Sequence, residues 1–203
     1  MSKLGYVSTG PRGFYLESKI LDLGHAYLSS TPLAPAAQPI LERLCEAVRE
    51  SCAVSVLDGS EVLYVARSST NGRLLSVDLG VGSRLPAYCT SMGRVLLAFQ
   101  PEAVLREYFD HATFTCHTKR TVTSRARLFE ELSEVRKKGC AIVDQELEVG
   151  LRSIAVPVQL RSGTVIAAMN VGTHAARVSI ADLRGTIHLQ LCAAALRLTA
   201  LLG

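Results

Sequence analysis

Residues Leu85–Ala98 read LPAYCTSMGRVLLA. Pro86 disfavours helix at Leu85. Thr90 or Ser91 is a natural N-cap, because either hydroxyl can accept a hydrogen bond from a first-turn N–H. The run Val95-Leu96-Leu97-Ala98 that follows is apolar. The stretch therefore predicts a helix opening near Thr90. Its unpaired N–H groups and the positive end of its dipole fall near Ser91, Met92 and Gly93, which suits an anion. Gly93 allows a close approach to the backbone, at about 1 kcal/mol of helix stability relative to Ala. Spacing alone leaves two readings open: a capped core helix, or a helix whose N-terminus holds a small anion.

The 203 residues around this stretch suffice for one domain of ~150 residues or more plus an appendage. With 48% hydrophobic and 20% charged residues, the chain has the composition of a soluble globular protein. A net charge of +4 is far from the concentrated basic footprint of a nucleic-acid-binding domain. No uninterrupted apolar run is long enough for a membrane span, and there is no signal-peptide core. These features predict a cytoplasmic protein without a membrane partner. The six cysteines (45, 52, 89, 116, 140 and 192) are scattered without a C-x-x-C pair. That pattern gives neither a metal centre nor a disulfide framework, and most are read as small buried hydrophobes. His111, Cys116 and His117 lie near one another but lack a fourth ligand at a recognised spacing. No cofactor is expected.

Upstream, Gly5-Tyr6-Val7 and Gly13–Leu16 predict two short strands around a Thr9-Gly10-Pro11 turn. They are too short to form a stable sheet alone and read as the end of something that begins earlier. Ser18–Ser29 has helical spacing, and Thr31-Pro32 interrupts it. A second helix is expected to about Ser51, with Ala37, Ile40, Leu41, Leu44 and Val48 inward. Cys52–Leu57 and Val62–Ala66 predict a hairpin around Asp58-Gly59, and Leu74–Leu79 a third strand.

Downstream, a helix is expected over Glu102–Tyr108, then an irregular surface segment over His111–Thr121. Thr123 or Ser124 caps a charged helix that ends at Gly139, with Lys137 and Lys138 in its last turn. Cys140–Asp144 predicts a strand, and Gln145–Gly150 a polar loop. Ile154–Leu160 and Val165–Val171 predict a second hairpin. Ser179 and Asp182 open a C-terminal helix with a capping-box pattern. Helices alternating with short hairpin-linked strands predict a mixed α/β (α+β) fold, a largely antiparallel sheet with helices packed on it.

Three motifs in this order carry a family resemblance: LPAYCTSMGRVLLA, GCAIVDQELEVGLRSIAVPV (Gly139–Val158) and AAMNVG (Ala167–Gly172). The chain resembles the effector-binding domain of IclR-type transcriptional regulators. Gly5–Ser30 is similar to the last wing strand and the linker helix that join that domain to a winged helix-turn-helix. VDQELEVGLRSIAVPV is most similar to regulators of the protocatechuate and β-ketoadipate branch of aromatic catabolism. The resemblance implies three parts: residues 1–16 as a wing remnant, 17–31 as the linker helix, and 32–203 as a GAF-like effector-binding domain. It implies a homodimer or homotetramer, a small carboxylate effector, and operator DNA bound through an upstream module outside this sequence. The family's acidic position falls on Val143 here, and the neighbouring Asp144 is the candidate to take its role.

Thr90, Ser91 and Met92 resemble the family's effector-carboxylate site. Three charge-assisted hydrogen bonds of roughly 1.5–3 kcal/mol each would hold a small carboxylate at micromolar affinity. Ser153 opens a strand. Asn170 and Gly172 stand two apart, so their side-chain positions share a face. The Asn170 amide on an apolar strand needs either a ligand or a structural partner. Leu74, Val77 and Leu85 would form an apolar wall, with a bulge needed for Leu74 and Val77 to face the same side. Arg152 either pairs a carboxylate in bidentate fashion or forms an ion pair with Glu146 or Glu148. Tyr88 either meets a ring-bearing ligand or packs in the core.

An enzyme would need a nucleophile with a base in reach, or a metal. Ser91-Met92-Gly93 matches the second half of G-x-S-x-G, but Cys89 stands where the first glycine belongs. A cysteine at a helix N-terminus can have a lowered pKa, but no histidine is placed to activate it. Cys89 is therefore expected to line the site rather than react. The leading expectation is a sensor of a small aromatic or dicarboxylic acid. The alternatives are an oligomerisation module with an unused pocket and a small hydrolase.

Overall fold

A computed structural model describes residues 1–69 and 79–203. An N-terminal hairpin pairs β1 (Val7–Gly10) with β2 (Gly13–Leu16). Helix α1 (Ile20–Ser30) follows, then α2 (Leu33–Val48). The expected continuation of α2 to Ser51 does not occur. Arg49 adopts a left-handed conformation (φ 55°) and its N–H closes on the Cys45 carbonyl, which releases Ser51 into a strand.

The main sheet is antiparallel throughout. It contains β3 (Ser51–Asp58), β4 (Glu61–Ser68), β5 (Arg84–Pro86), β6 (Ala141–Asp144), β7 (Leu151–Gln159) and β8 (Val165–His174). Their spatial order is β5-β4-β3-β8-β7-β6. The Asp58-Gly59 hairpin forms as expected, with Gly59 at φ 60°. The third strand expected at Leu74–Leu79 falls, up to residue 78, outside the described residues.

Alternation along the strands divides the core in two. Cys52, Val54, Ile154, Val156, Met169 and Val171 face α2 and the C-terminal helix. Ala53, Ala155 and Ala168 face the other way, toward α3 (Ser91–Ala98), α4 (Glu102–His111) and α5 (Arg125–Lys138). Ser124 caps α5, and Gly139 (φ 67°) closes it. The Ser179–Asp182 capping box is present, but it opens only the short α6 (Ile180–Asp182). Gly185 is non-helical inside the turn that follows, and α7 (His188–Leu202) resumes beyond it. By length and hydropathy, Ile180–Leu202 could cross a membrane, which the sequence reading did not anticipate. Its stripe Leu183, Ile187, Leu191, Ala194 and Leu198 packs into the sheet's core, and each such leucine contributes roughly 1.5–3 kcal/mol of burial.

Candidate functional site

The N-terminus of α3 lies over the face of the sheet that carries Ala53, Ala155 and Ala168. Thr90 is the N-cap: its Oγ1 accepts from the Gly93 N–H at 3.2 Å and donates to the Pro86 carbonyl at 3.1 Å. The Arg94 N–H reaches the Thr90 carbonyl. The Thr90 hydroxyl is therefore committed to the helix as its N-cap, one of the two caps expected, and its proton goes to the Pro86 carbonyl rather than to a ligand. The first N–H groups of a helix have no intrahelical acceptor, and among the described residues nothing accepts from those of Ser91 and Met92. The Ser91 hydroxyl is buried and unpartnered. The Met92 side chain is also buried, where its thioether accepts from Ser55 Oγ at 3.1 Å, so Met92 offers the site its backbone rather than its side chain. That contact pins the first turn of α3 over β3.

Gly93 serves packing. A Cβ there would lie 2.1 Å from the Ala87 carbonyl oxygen, so the close approach is made by this chain's own backbone.

Beneath α3 the strand register builds two rows of side chains. Ser51, Gly172, Ser153 and Val143 stand opposite one another across β3, β8, β7 and β6, and Ala53, Asn170, Ala155 and Ala141 form the next row. Directly opposed residues share a face, so these rows make a bed of small side chains with polar groups set into it. Asn170 and Ser153 are each 8% exposed, and no described residue bonds either side chain. Ser51 Oγ is buried without a partner. Buried polar groups are ordinarily satisfied, so the unpartnered Ser51 and Ser91 hydroxyls are exceptions; among the described residues the Tyr108 and Thr173 hydroxyls are two more, away from this bed. Sequence reasoning missed Ser51 because it assigned that residue to the end of a helix.

Arg152 and Asp144 do not join this set. They alternate with Ser153 and Val143, so they point to the opposite face. Arg152 Nε bonds Asp144 at 2.7 Å, and its Nη1 bonds the Val178 carbonyl at 2.6 Å. Arg120 holds the other Asp144 oxygen. Burial pushes the Asp144 carboxyl up, but Arg152, Gln145 and Arg120 more than offset this and hold it below its ordinary value. The partner of Arg152 is thus Asp144, not Glu146 or Glu148. Asp144 is committed to that ion pair, so the structure does not put it in the role of the acidic position that falls on Val143.

Tyr88 resolves to packing. Its hydroxyl donates to the Thr115 carbonyl, and its ring meets Phe114 edge-on at 5.2 Å. Cys89 is fully buried, and burial pushes its thiol up to about 12. A thiol held protonated is a poor nucleophile. Leu85 pairs with Val62 on β4 and packs against the α3 side of the core. Leu74 and Val77 lie outside the described residues. His111 Nδ1 lies 2.9 Å from the Glu107 carbonyl, and Cys116 donates to the Thr118 carbonyl.

Arg94 ties α3 to the residues that precede it, to the Gln145–Gly150 loop and to α5. Its guanidinium bonds the Tyr88 carbonyl (2.9 Å), Glu146 (2.7 Å) and Glu131. Thr118 and Thr121 donate to the carbonyls of Gln145 and Glu146, which ties the Gln145–Gly150 loop to the segment before α5.

Residues 25–200 match the family model described as "Bacterial transcriptional regulator IclR C-terminal". The Pca regulon regulatory protein of Pseudomonas putida is 52% identical over 181 residues, covering 89% of this chain and 62% of that protein. The chain therefore spans less than two thirds of that relative's length. A transcriptional regulator from Rhodococcus sp. RHA1 superposes with a TM-score of 0.87 at 43% identity, covering 99% of this chain and 80% of that one. A double mutant of the PobR inducer-binding domain from Acinetobacter, solved with 3-hydroxybenzoic acid, superposes with a TM-score of 0.77 at 32% identity. It covers 83% of this chain and 98% of that one.

Proposed function

This chain belongs to the IclR family of bacterial transcriptional regulators, and from that premise we propose that it senses a small aromatic or dicarboxylic acid on behalf of aromatic-catabolism genes. The carrying observation is a set of polar groups on one face with no hydrogen-bond partner among the described residues: the Ser91 and Met92 N–H groups, the buried Ser91 hydroxyl, and the Asn170 and Ser153 side chains. The carboxylate takes the α3 N-terminus, where backbone N–H groups and the helix dipole favour negative charge. Asn170 and Ser153 take the far end, and the gap at Gly172 admits the ring. The likeness to an inducer-binding domain solved with a hydroxybenzoic acid supports this effector class.

In this reading the chain is a sensor and not an enzyme, in keeping with the transcriptional regulators it matches. Residues 1–16 are the remnant of a DNA-reading wing, 17–31 the linker helix, and 32–203 the sensing domain. The protein works in the cytoplasm as a homodimer or homotetramer, and the operator is bound by a winged helix-turn-helix upstream. Exposed Phe14, Leu16, Leu21 and Tyr27 on β2 and α1 support a partner at that end, since apolar clusters of this kind commonly mark interfaces. The effector acts by binding one arrangement of the subunits better than the other.

Thermal melting with protocatechuate, 4-hydroxybenzoate and β-ketoadipate tests this. A ligand at 100 times its Kd stabilises by about 2.7 kcal/mol, a measurable rise in Tm. No shift with any small aromatic or dicarboxylic acid at millimolar concentration would leave an oligomerisation module with an unused pocket.

A further inference from the structure

We infer that Ser51, at the start of β3, is a specificity-determining residue that reads a ring hydroxyl of the effector. The inference rests on the sensor reading above. It selects hydroxylated benzoates over benzoate itself.

Ser51 faces Gly172 across the β3–β8 ladder, and Gly172 faces Ser153 across the next. Gly172 has no side chain, so two hydroxyls flank a gap in the bed. Ser51 is 6% exposed, and its Oγ has no partner. An unsatisfied buried hydroxyl costs free energy in the empty protein, and a ligand that satisfies it recovers that cost. The carboxylate end of an effector is already assigned to the N–H groups of Ser91 and Met92, which can only donate. Ser51 can both donate and accept, and this matches a phenolic hydroxyl, which does the same.

The Ser51–Gly172–Ser153 row lies one side-chain repeat from the Ala53–Asn170–Ala155 row, about 7 Å along the strands, on the face of the sheet that α3 covers.

The test is isothermal titration of this chain and its Ser51→Ala variant with four probes: benzoate, 3-hydroxybenzoate, 4-hydroxybenzoate and 3,4-dihydroxybenzoate. The substitution removes an atom that bonds nothing in the fold, so the ligand-free Tm should stay the same or rise. The unsubstituted chain should prefer at least one hydroxylated probe to benzoate. Ser51→Ala should weaken that probe by roughly two- to twelvefold, the worth of one neutral hydrogen bond, and leave benzoate unchanged. If Ser51→Ala weakens all probes equally or none, the assignment of Ser51 fails while the sensor reading stands. If the unsubstituted chain binds none of the four, the aromatic-effector reading fails and this inference with it.

Discussion

Arg94 and Glu146 meet at 2.7 Å with side-chain exposures of 4% and 8%. They join the first turns of α3 to the Gln145–Gly150 loop. Glu146 also accepts from the Val122 N–H at 3.0 Å. Burial raises the Glu146 carboxyl above its ordinary value, although Arg94 and the Val122 N–H oppose the rise.

Arg94→Met leaves Glu146 buried without its counter-charge. Breaking a buried pair from one side costs about 3–5 kcal/mol, so urea denaturation at pH 7 should register a loss of that order. A carboxyl raised in the folded state contributes stability at low pH that is lost as the pH rises through its folded pKa. The Arg94→Met deficit should therefore shrink as the pH is lowered through the titration of Glu146. A deficit independent of pH would assign the loss to packing of the arginine stem instead.

Gly93→Ala tests the approach of Ala87. Alanine favours helix by about 1 kcal/mol over glycine, but here its Cβ would sit 2.1 Å from a backbone oxygen. Overpacking of this kind typically costs 1–3 kcal/mol. The variant should melt lower than the unsubstituted chain, opposite to the direction helix propensity gives.

Ser91→Pro and Asn170→Ala address the ligand. Proline is well tolerated at the first helical position, and the N–H it removes has no described acceptor. The Asn170 amide likewise bonds no described residue. Both variants should keep the parent's Tm and oligomeric state while weakening hydroxybenzoate binding, Ser91→Pro by roughly tenfold or more because a charge-assisted bond is lost. Titration of both variants at unchanged affinity would place the site elsewhere.

Asp144→Asn tests the opposite face. A carboxyl held below its ordinary value contributes stability above its unfolded pKa, and that stability disappears as the pH falls through the folded pKa. The variant should lose about 1–2 kcal/mol at pH 7, for a part-exposed pair. Parent and variant should converge in acid. Effector affinity should change little, because the Asp144–Arg152 pair lies behind the sheet.

Local chemistry was legible wherever one residue type solves one local problem. Thr90 caps α3, Ser124 caps α5, Gly139 closes α5 in a left-handed conformation, and Asp58-Gly59 turns the hairpin. The sequence narrowed each cap to two neighbours, Thr90 or Ser91 and Thr123 or Ser124, and placed Gly139 and the Asp58-Gly59 turn outright. The candidate site was legible only in part. Asn170 and Ser153 share one bed, and α3 presents its N-terminus above it. Ser51 was not legible, because the apolar spacing of α2 continues smoothly to Val48 and gives no sign that Arg49 will reverse the backbone.

The sequence by itself determined most of the helices, the order of the elements and the antiparallel hairpins, but not strand β5 or the start of β3 at Ser51. These follow from hydrogen bonds and periodicities confined to a few neighbouring residues. Tertiary structure alone decided which polar residues meet. β3 lies beside β8, more than a hundred residues away in the chain, and strand register flips every side chain when it slips by one residue. That single parity sends Ser153 and Asn170 toward α3 and Arg152 and Asp144 behind the sheet. It also brings an unforeseen Ser51 into the row with Gly172 and Ser153.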